Sequence, residues 1–355
     1  MIHMPLVARL IALALLMAAA PALAQNCRFH NGTGTLSNVA NLSGSITVGP
    51  DVPVGAELYR ASYQPGPANE VTCTAGPADR VRQLTSTPYG PSGYVHPQYG
   101  TVYNTNVPGV GVAVWNASQG FPITTTQQVV PNPDTIWILY PLQTFGVSLI
   151  KTGPITAGTV TGANLPRFEY RMTGANSALQ LWNGRVQGSL SIVARTCTTA
   201  DVSVNLGDHR VTEIPTVGSG TQWVNVPVTL SNCPAFYGRY RGNLTTGTVQ
   251  TTNGRVDNTL RFRVDPVTAV ADSARSVMML QSDGVNTTAT GIGIQIGTPG
   301  GESVGFGSMR DSGLTLSETN NASYTLMLRA RYIRYAAAAS SGQANGAATL
   351  TLEYY

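Results

Sequence analysis

The clearest hydrophobic pattern in the chain lies at its end, in residues 342–355. Leu350, Leu352 and Tyr354 alternate there with Thr351, Glu353 and Tyr355, the period of two that predicts a strand with one buried face. The pattern continues to the last residue given, so an outer edge of unpaired backbone groups is expected. A long apolar edge is a hazard unless another chain covers it. Shorter apolar or alternating runs predict strands at 110–115, 135–140, 145–150, 168–172 and 186–193. Others follow at 202–206, 223–230, 258–264, 289–296, 314–316 and 324–335. Around Pro50 and Pro53, the residues Ile46, Val48, Val52, Val54 and Leu58 predict short strands and a turn. Residues 86–111, dense in Pro, Gly and Tyr, read as a surface loop. Helix-period apolar faces are missing. Many short strands between Gly, Pro and Asn turns predict an all-β chain of immunoglobulin-like β-sandwiches, and no repeat of solenoid or propeller length is present.

Residues 1–24 have the form of a signal peptide. Arg9 supplies the charge, Leu10 to Ala20 the apolar run and Ala22-Leu23-Ala24 the cleavage site, which makes Gln25 the expected mature start. No later run is long enough to cross a bilayer as a helix. The remaining length is too great for one small core and predicts two domains, 25–193 and 194–355. The second holds only six or seven expected strands, enough for a sandwich that lacks its last one.

Charge and chemistry narrow the picture by exclusion. Lys151 is the single lysine among 21 basic residues, and the arginines are scattered among 17 carboxylates. A nucleic-acid partner needs a clustered basic face, so none is expected. Cys27, Cys73, Cys197 and Cys233 allow three disulfide connectivities, of which local pairing within each domain is the economical one. No CxxC spacing exists for zinc, and neither a metal nor another cofactor is expected. His30, His96 and His209 lie in polar or loop contexts without a G-x-S-x-G elbow. The carboxylates Asp51, Glu57, Glu70, Asp79, Asp134 and Glu169 do not form a glycosidase-like pair. Gly291-Ile292-Gly293-Ile294-Gln295-Ile296-Gly297 is a strand with small residues on one face, not a nucleotide loop. No enzymatic activity is expected.

From residue 197 onward the chain resembles the pilins of bacterial chaperone–usher fimbriae. The resemblance rests on Cys197 followed by Val202-Ser203-Val204-Asn205-Leu206-Gly207, on Leu230-Ser231-Asn232-Cys233-Pro234, and on the small-residue strand Ala289 to Ile296. Tyr324 to Tyr332 and the ending from Gly342 to Tyr355, with penultimate Tyr354, follow in the family's order. Residues 25–193 resemble the receptor-binding, lectin-like domain of a tip adhesin of the type 3 fimbrial kind. That part rests on Cys27, the run Ile46 to Gly55, and Cys73.

The resemblance implies a fimbrial tip adhesin that attaches bacteria to a host glycan or matrix protein. It would pass through the periplasm to the fimbrial tip on the cell surface. A periplasmic fimbrial chaperone and then the N-terminal strand of the next subunit would fill the groove of the incomplete sandwich, with an outer-membrane usher between the two steps. The implied edge comprises Leu350, Leu352, Tyr354 and Tyr355 on one side and Val202, Val204 and Leu206 on the other. Only Gln25 and Asn26 precede Cys27 after cleavage, so the chain is expected to accept a strand and have none to give. The alternative is a non-adhesive tip or adaptor subunit. Sugar sites pair aromatic platforms with amides and carboxylates, which makes Trp115, Asn116, Asp134, Trp137, Tyr94 and Tyr99 the receptor candidates. Tyr89, Tyr103, Trp182 and Asn183 offer similar groups.

Overall fold

A computed structural model of the chain describes residues 27–63, 69–73, 76–129, 137–138, 144–174, 177–240 and 255–355. The expected signal peptide, Gln25, Asn26 and Asp134 lie outside the described residues, as does most of the expected strand 135–140. The described residues form an all-β chain, with 3-10 turns at Gly162–Asn164 and Val211–Glu213.

The first half is a sandwich of two large sheets. One places Glu57–Tyr63, Phe145–Lys151, Val110–Asn116, Gly100–Asn104 and Pro91–His96 side by side. The other runs Ile123–Val129, Gly76–Ser86, Arg167–Gly174, Ser177–Val193 and Gly158–Thr161, with Leu36–Leu42 and Ser45–Thr47 added in parallel along Ser177–Val193. Aromatic rings fill the space between them. Phe145 meets Phe168 at 4.8 Å and Trp182 at 5.5 Å, and Trp182 meets Tyr170 at 6.0 Å. At Gly188 (φ +75°) a Cβ would fall 2.3 Å from the Leu42 carbonyl oxygen, so only glycine fits where the parallel strand ends. Residues 86–111, read from sequence as a loop, instead contain the hairpin Pro91–His96 and Gly100–Asn104.

In the second half one sheet orders Thr198–Thr199, Val224–Cys233, Ala322–Arg334, Ile292–Gly297, Val277–Met279 and Val270–Asp272. Facing it is a small sheet of Arg310–Asp311, Leu260–Pro266 and the terminal strand Ala348–Tyr354. Among the described residues, the terminal strand pairs with one strand only, Leu260–Pro266. Both halves carry the expected local disulfides, Cys27–Cys73 and Cys197–Cys233.

Candidate functional site

Beside the terminal strand lies an open groove of about 890 Å³. Its floor is apolar, because alternate residues of neighbouring strands point the same way. Val226 sits opposite Leu328, and Ile296 opposite Ala330. Leu350 and Leu352 form one wall. Residues 199–206 form the other, including Val202, Val204 and Leu206. These three were expected to make a strand. The structure corrects that: only Thr198–Thr199 pairs, and residues 200–210 belong to no strand. The alternation is present without a sheet, for among the described residues no strand pairs with residues 200–206. Val202 remains 41% exposed.

The signature residues near the end have separate physical reasons. A Cβ on Gly342 would fall 2.5 Å from Thr287 O and 2.6 Å from Ala289 N. The backbone needs that approach to bond Gln343 N to Thr287 O at 2.7 Å and Ala289 N to Gln343 O at 3.0 Å. Tyr354 is buried against Leu230, Cys233 and Leu260, and its ring stacks on Phe236 at 6.3 Å. It anchors the strand whose other edge is open.

On the first domain, several receptor candidates turn out to be core. Trp115 and Tyr99 are 1% and 2% exposed, stacked at 5.7 Å, so neither can be a platform for a sugar. The Trp115 indole N–H donates to Ser148 Oγ at 2.8 Å. Ser148 and the Tyr99 hydroxyl in turn donate to Glu57 Oε1 at 2.5 and 3.0 Å. The Arg60 guanidinium covers the Trp115 ring at 4.7 Å. Burial, then the nearby Glu57, pushes the Tyr99 phenol up to about 12. The Asn116 amide is spent on the Thr144 carbonyl. Trp137 has its backbone opposite Val71. His96 carries the stack outward, 4.7 Å from Tyr99, with Tyr94 edge-on at 6.5 Å. Tyr94 and His96 are half-buried, and Tyr89 and Val95 are exposed.

Two family models divide this chain between them. The one described as Fimbrial protein matches residues 185–355, and the one described as MrkD-like receptor binding domain matches residues 41–182. The chain belongs to the fimbrial adhesins. Its receptor-binding domain precedes its fimbrial domain, and its function is adhesion. Among solved structures, similarity extends to the receptor binding domain of the adhesin MrkD1P of Klebsiella pneumoniae. That match has 19% identity, 49% of this chain, 98% of that chain and a TM-score of 0.33. The CupB6 tip adhesin of Pseudomonas aeruginosa matches at 15% identity over 93% of this chain and 95% of its own, TM-score 0.35. The chaperone–tip subunit complex CsuC–CsuE of Acinetobacter baumannii matches at 10% over 92% and 100%, TM-score 0.26. No curated protein matches.

The adhesin has a further set of residues that the sequence did not mark as a site. Thr47, 1% exposed in the receptor-binding domain, is wired into the fimbrial domain. Its N–H donates to Gly238 O at 3.0 Å and its hydroxyl to Ala235 O at 2.7 Å, and the hydroxyl accepts from Tyr237 N at 3.0 Å. The Asn258 amide donates to Thr47 O at 2.9 Å and to Tyr355 O at 3.0 Å, joining the junction to the terminal strand. Thr47 stands in the Ile46–Gly55 run that carried the resemblance, but its partners lie about two hundred residues away, beyond any local pattern.

Proposed function

We propose that this adhesin stands at the tip of a chaperone–usher fimbria, with the domain boundary near residue 194. The groove accepts a β-strand from a periplasmic chaperone and then, past the usher, the N-terminal strand of the next subunit. The observation that carries this reading is the open groove, about 890 Å³, between the one-sided terminal strand and the unpaired 200–206 segment. A strand laid there would satisfy the edge of Ala348–Tyr354 and fill the apolar floor with alternate side chains. The receptor-binding domain then faces away from the fibre toward a host glycan or matrix protein, in a signal-peptide-exported protein displayed at the cell surface. Among the described residues, Tyr94, beside His96, is a receptor candidate that is only half-buried.

The double substitution Leu350→Asp, Leu352→Asp places two carboxylates in the groove, where charge without partners is strongly disfavoured. Recovery in complex with the chaperone and display on fimbriae should both be lost. Normal display of the variant would sink the acceptor reading. Receptor binding is tested on glycan and matrix-protein arrays with the full chain in strand-complemented form. Normal fimbriation with no bound ligand would return the molecule to the adaptor class.

A further inference from the structure

The register of the terminal strand shows which of its backbone groups face the groove. Tyr355 N donates to Thr259 O at 3.0 Å and Thr259 N to Tyr355 O at 3.1 Å, and at the other end Val267 N donates to Ala347 O at 3.0 Å. In an antiparallel pair only alternate residues bond across. Residues 347, 349, 351, 353 and 355 therefore face Leu260–Pro266, and the N–H and C=O groups of Leu350, Leu352 and Tyr354 point to the open edge.

Tyr354 is nevertheless covered. Its N–H donates to Asp51 Oδ2 at 2.9 Å. Gly49 lies so close that a Cβ there would fall 1.9 Å from the Tyr354 carbonyl oxygen. Gly49 and Asp51 belong to the receptor-binding domain, in a loop fixed at one end by Thr47 and braced by Lys151 Nζ, which donates to Pro50 O at 2.7 Å.

We propose that the Gly49–Asp51 loop is an end stop for the groove, so that the backbone ladder open to an incoming strand runs through Leu350 and Leu352 and ends there. This rests on the reading of the groove as a strand acceptor. A carboxylate that accepts from a backbone amide makes a stronger bond than a strand carbonyl does. A strand that reached Tyr354 would therefore have to displace Asp51 and lift the loop from the terminal strand. A fixed end also fixes register, because a slip of one residue turns every side chain of the incoming strand to the wrong face. The receptor-binding domain thus selects which side chains of its partner meet the floor.

The test is amide hydrogen exchange resolved to single residues on the full chain with the groove empty. The Tyr354 amide should be protected, while those of Leu350 and Leu352 exchange freely. Asp51→Ala should speed exchange at Tyr354 about tenfold to a hundredfold, the range of a lost charge-assisted bond. The amides of Val71 and Leu149, deep in the receptor-binding domain, should hold their rates. Asp51→Asn keeps an acceptor and should restore most of the protection. Gly49→Ala leaves the carboxylate in place but forces the loop off the strand, and should also expose Tyr354. Exchange at Tyr354 as fast as at Leu352 in the unaltered protein, or unchanged in Asp51→Ala, overturns the end stop. Neither result touches strand acceptance, which the Leu350/Leu352 variant tests separately.

Discussion

The two domains share a composition rich in short strands, yet they solve the problem of a core in opposite ways. The receptor-binding domain fills its sandwich with its own side chains. Among the described residues, every one of the largest fully buried side chains, from Trp182 and Tyr170 to Phe145 and Leu165, lies before residue 193. They form one continuous cluster, with a satellite around Trp115. Among the described residues, the fimbrial domain has three smaller clusters around an open groove. Its Trp223 is half-buried under the Arg331 guanidinium at 4.3 Å and takes no part in those clusters. Burial of apolar area is the main favourable term in folding, about 25 cal/mol per Å². A domain that leaves its floor uncovered forgoes part of that term within its own chain. Incompleteness here is local: it sits beside one strand, while the described core of the attached domain is closed.

Removing the receptor-binding domain's central ring should separate the two domains most strongly. Trp182→Ala should cost about 3–5 kcal/mol and lower that domain's melting temperature by roughly 10 °C, read by calorimetry. Strand acceptance by the fimbrial domain should not change. A loss of acceptance would mean that the cores are coupled more tightly than the Thr47 junction implies. The disulfides come next. Their sequence separations are 46 and 36 residues, so the chain-entropy account gives each roughly 4 kcal/mol. Equal increments should have unequal consequences. Cys27→Ala with Cys73→Ala should leave a folded but less stable receptor-binding domain. Cys197→Ala with Cys233→Ala frees the start of the unpaired groove wall in a domain with little stability to spare, and should abolish chaperone recovery. Equal recovery of both variants would argue that the fimbrial domain is stable without its partner.

How much of this the sequence displayed depended on how locally each feature was encoded. The terminal strand was legible because Leu350, Leu352 and Tyr354 alternate without interruption, and the disulfides because the cysteines fall in two distant pairs. The 91–104 hairpin reads as a loop because Gly90, Gly93 and Gly100, all at positive φ, punctuate strands with turn residues. Trp115 looked like a sugar platform beside Asn116, although it ends the unbroken buried run Val110–Trp115. That run was the available signal, since a strand buried on both faces need not alternate. What makes room for the ring is Gly146, paired opposite it, where a Cβ would fall 2.1 Å from the indole. No pattern along the chain announces that pairing. The Asp51–Tyr354 bond joins residues 303 apart and was out of reach for the same reason.

The smallest effect separates the domains by pH, because each carries a histidine shifted in the opposite direction. His96 in the receptor-binding domain accepts the N–H groups of Gln98 and Tyr99 on Nδ1, at 3.2 and 3.3 Å. It faces Tyr94 and Tyr99, with Glu57 nearby. Burial lowers its pKa below the ordinary 6.5, against a weaker upward pull from Glu57. Protonation there would set a donor against two donors. The folded domain resists the proton that the unfolded chain takes up, so this contribution is complete above 6.5 and is lost as pH falls through the lowered value. His209 in the fimbrial domain, exposed, lies 2.9 Å from Glu213 Oε2 and 3.0 Å from Leu206 O. Its Glu213 bond raises its pKa, with Asp208 adding to the rise, and Tyr332 packs edge-on. Its contribution is complete below 6.5 and is lost as pH climbs through the raised value. Thermal melts of the strand-complemented full chain at a series of pH values should therefore show the receptor-binding transition weakening on acidification while the fimbrial one holds or strengthens. His96→Gln should flatten the first slope and leave the second, and His209→Gln the reverse. If either substitution moves both slopes together, the histidines report a shared junction rather than their own domains.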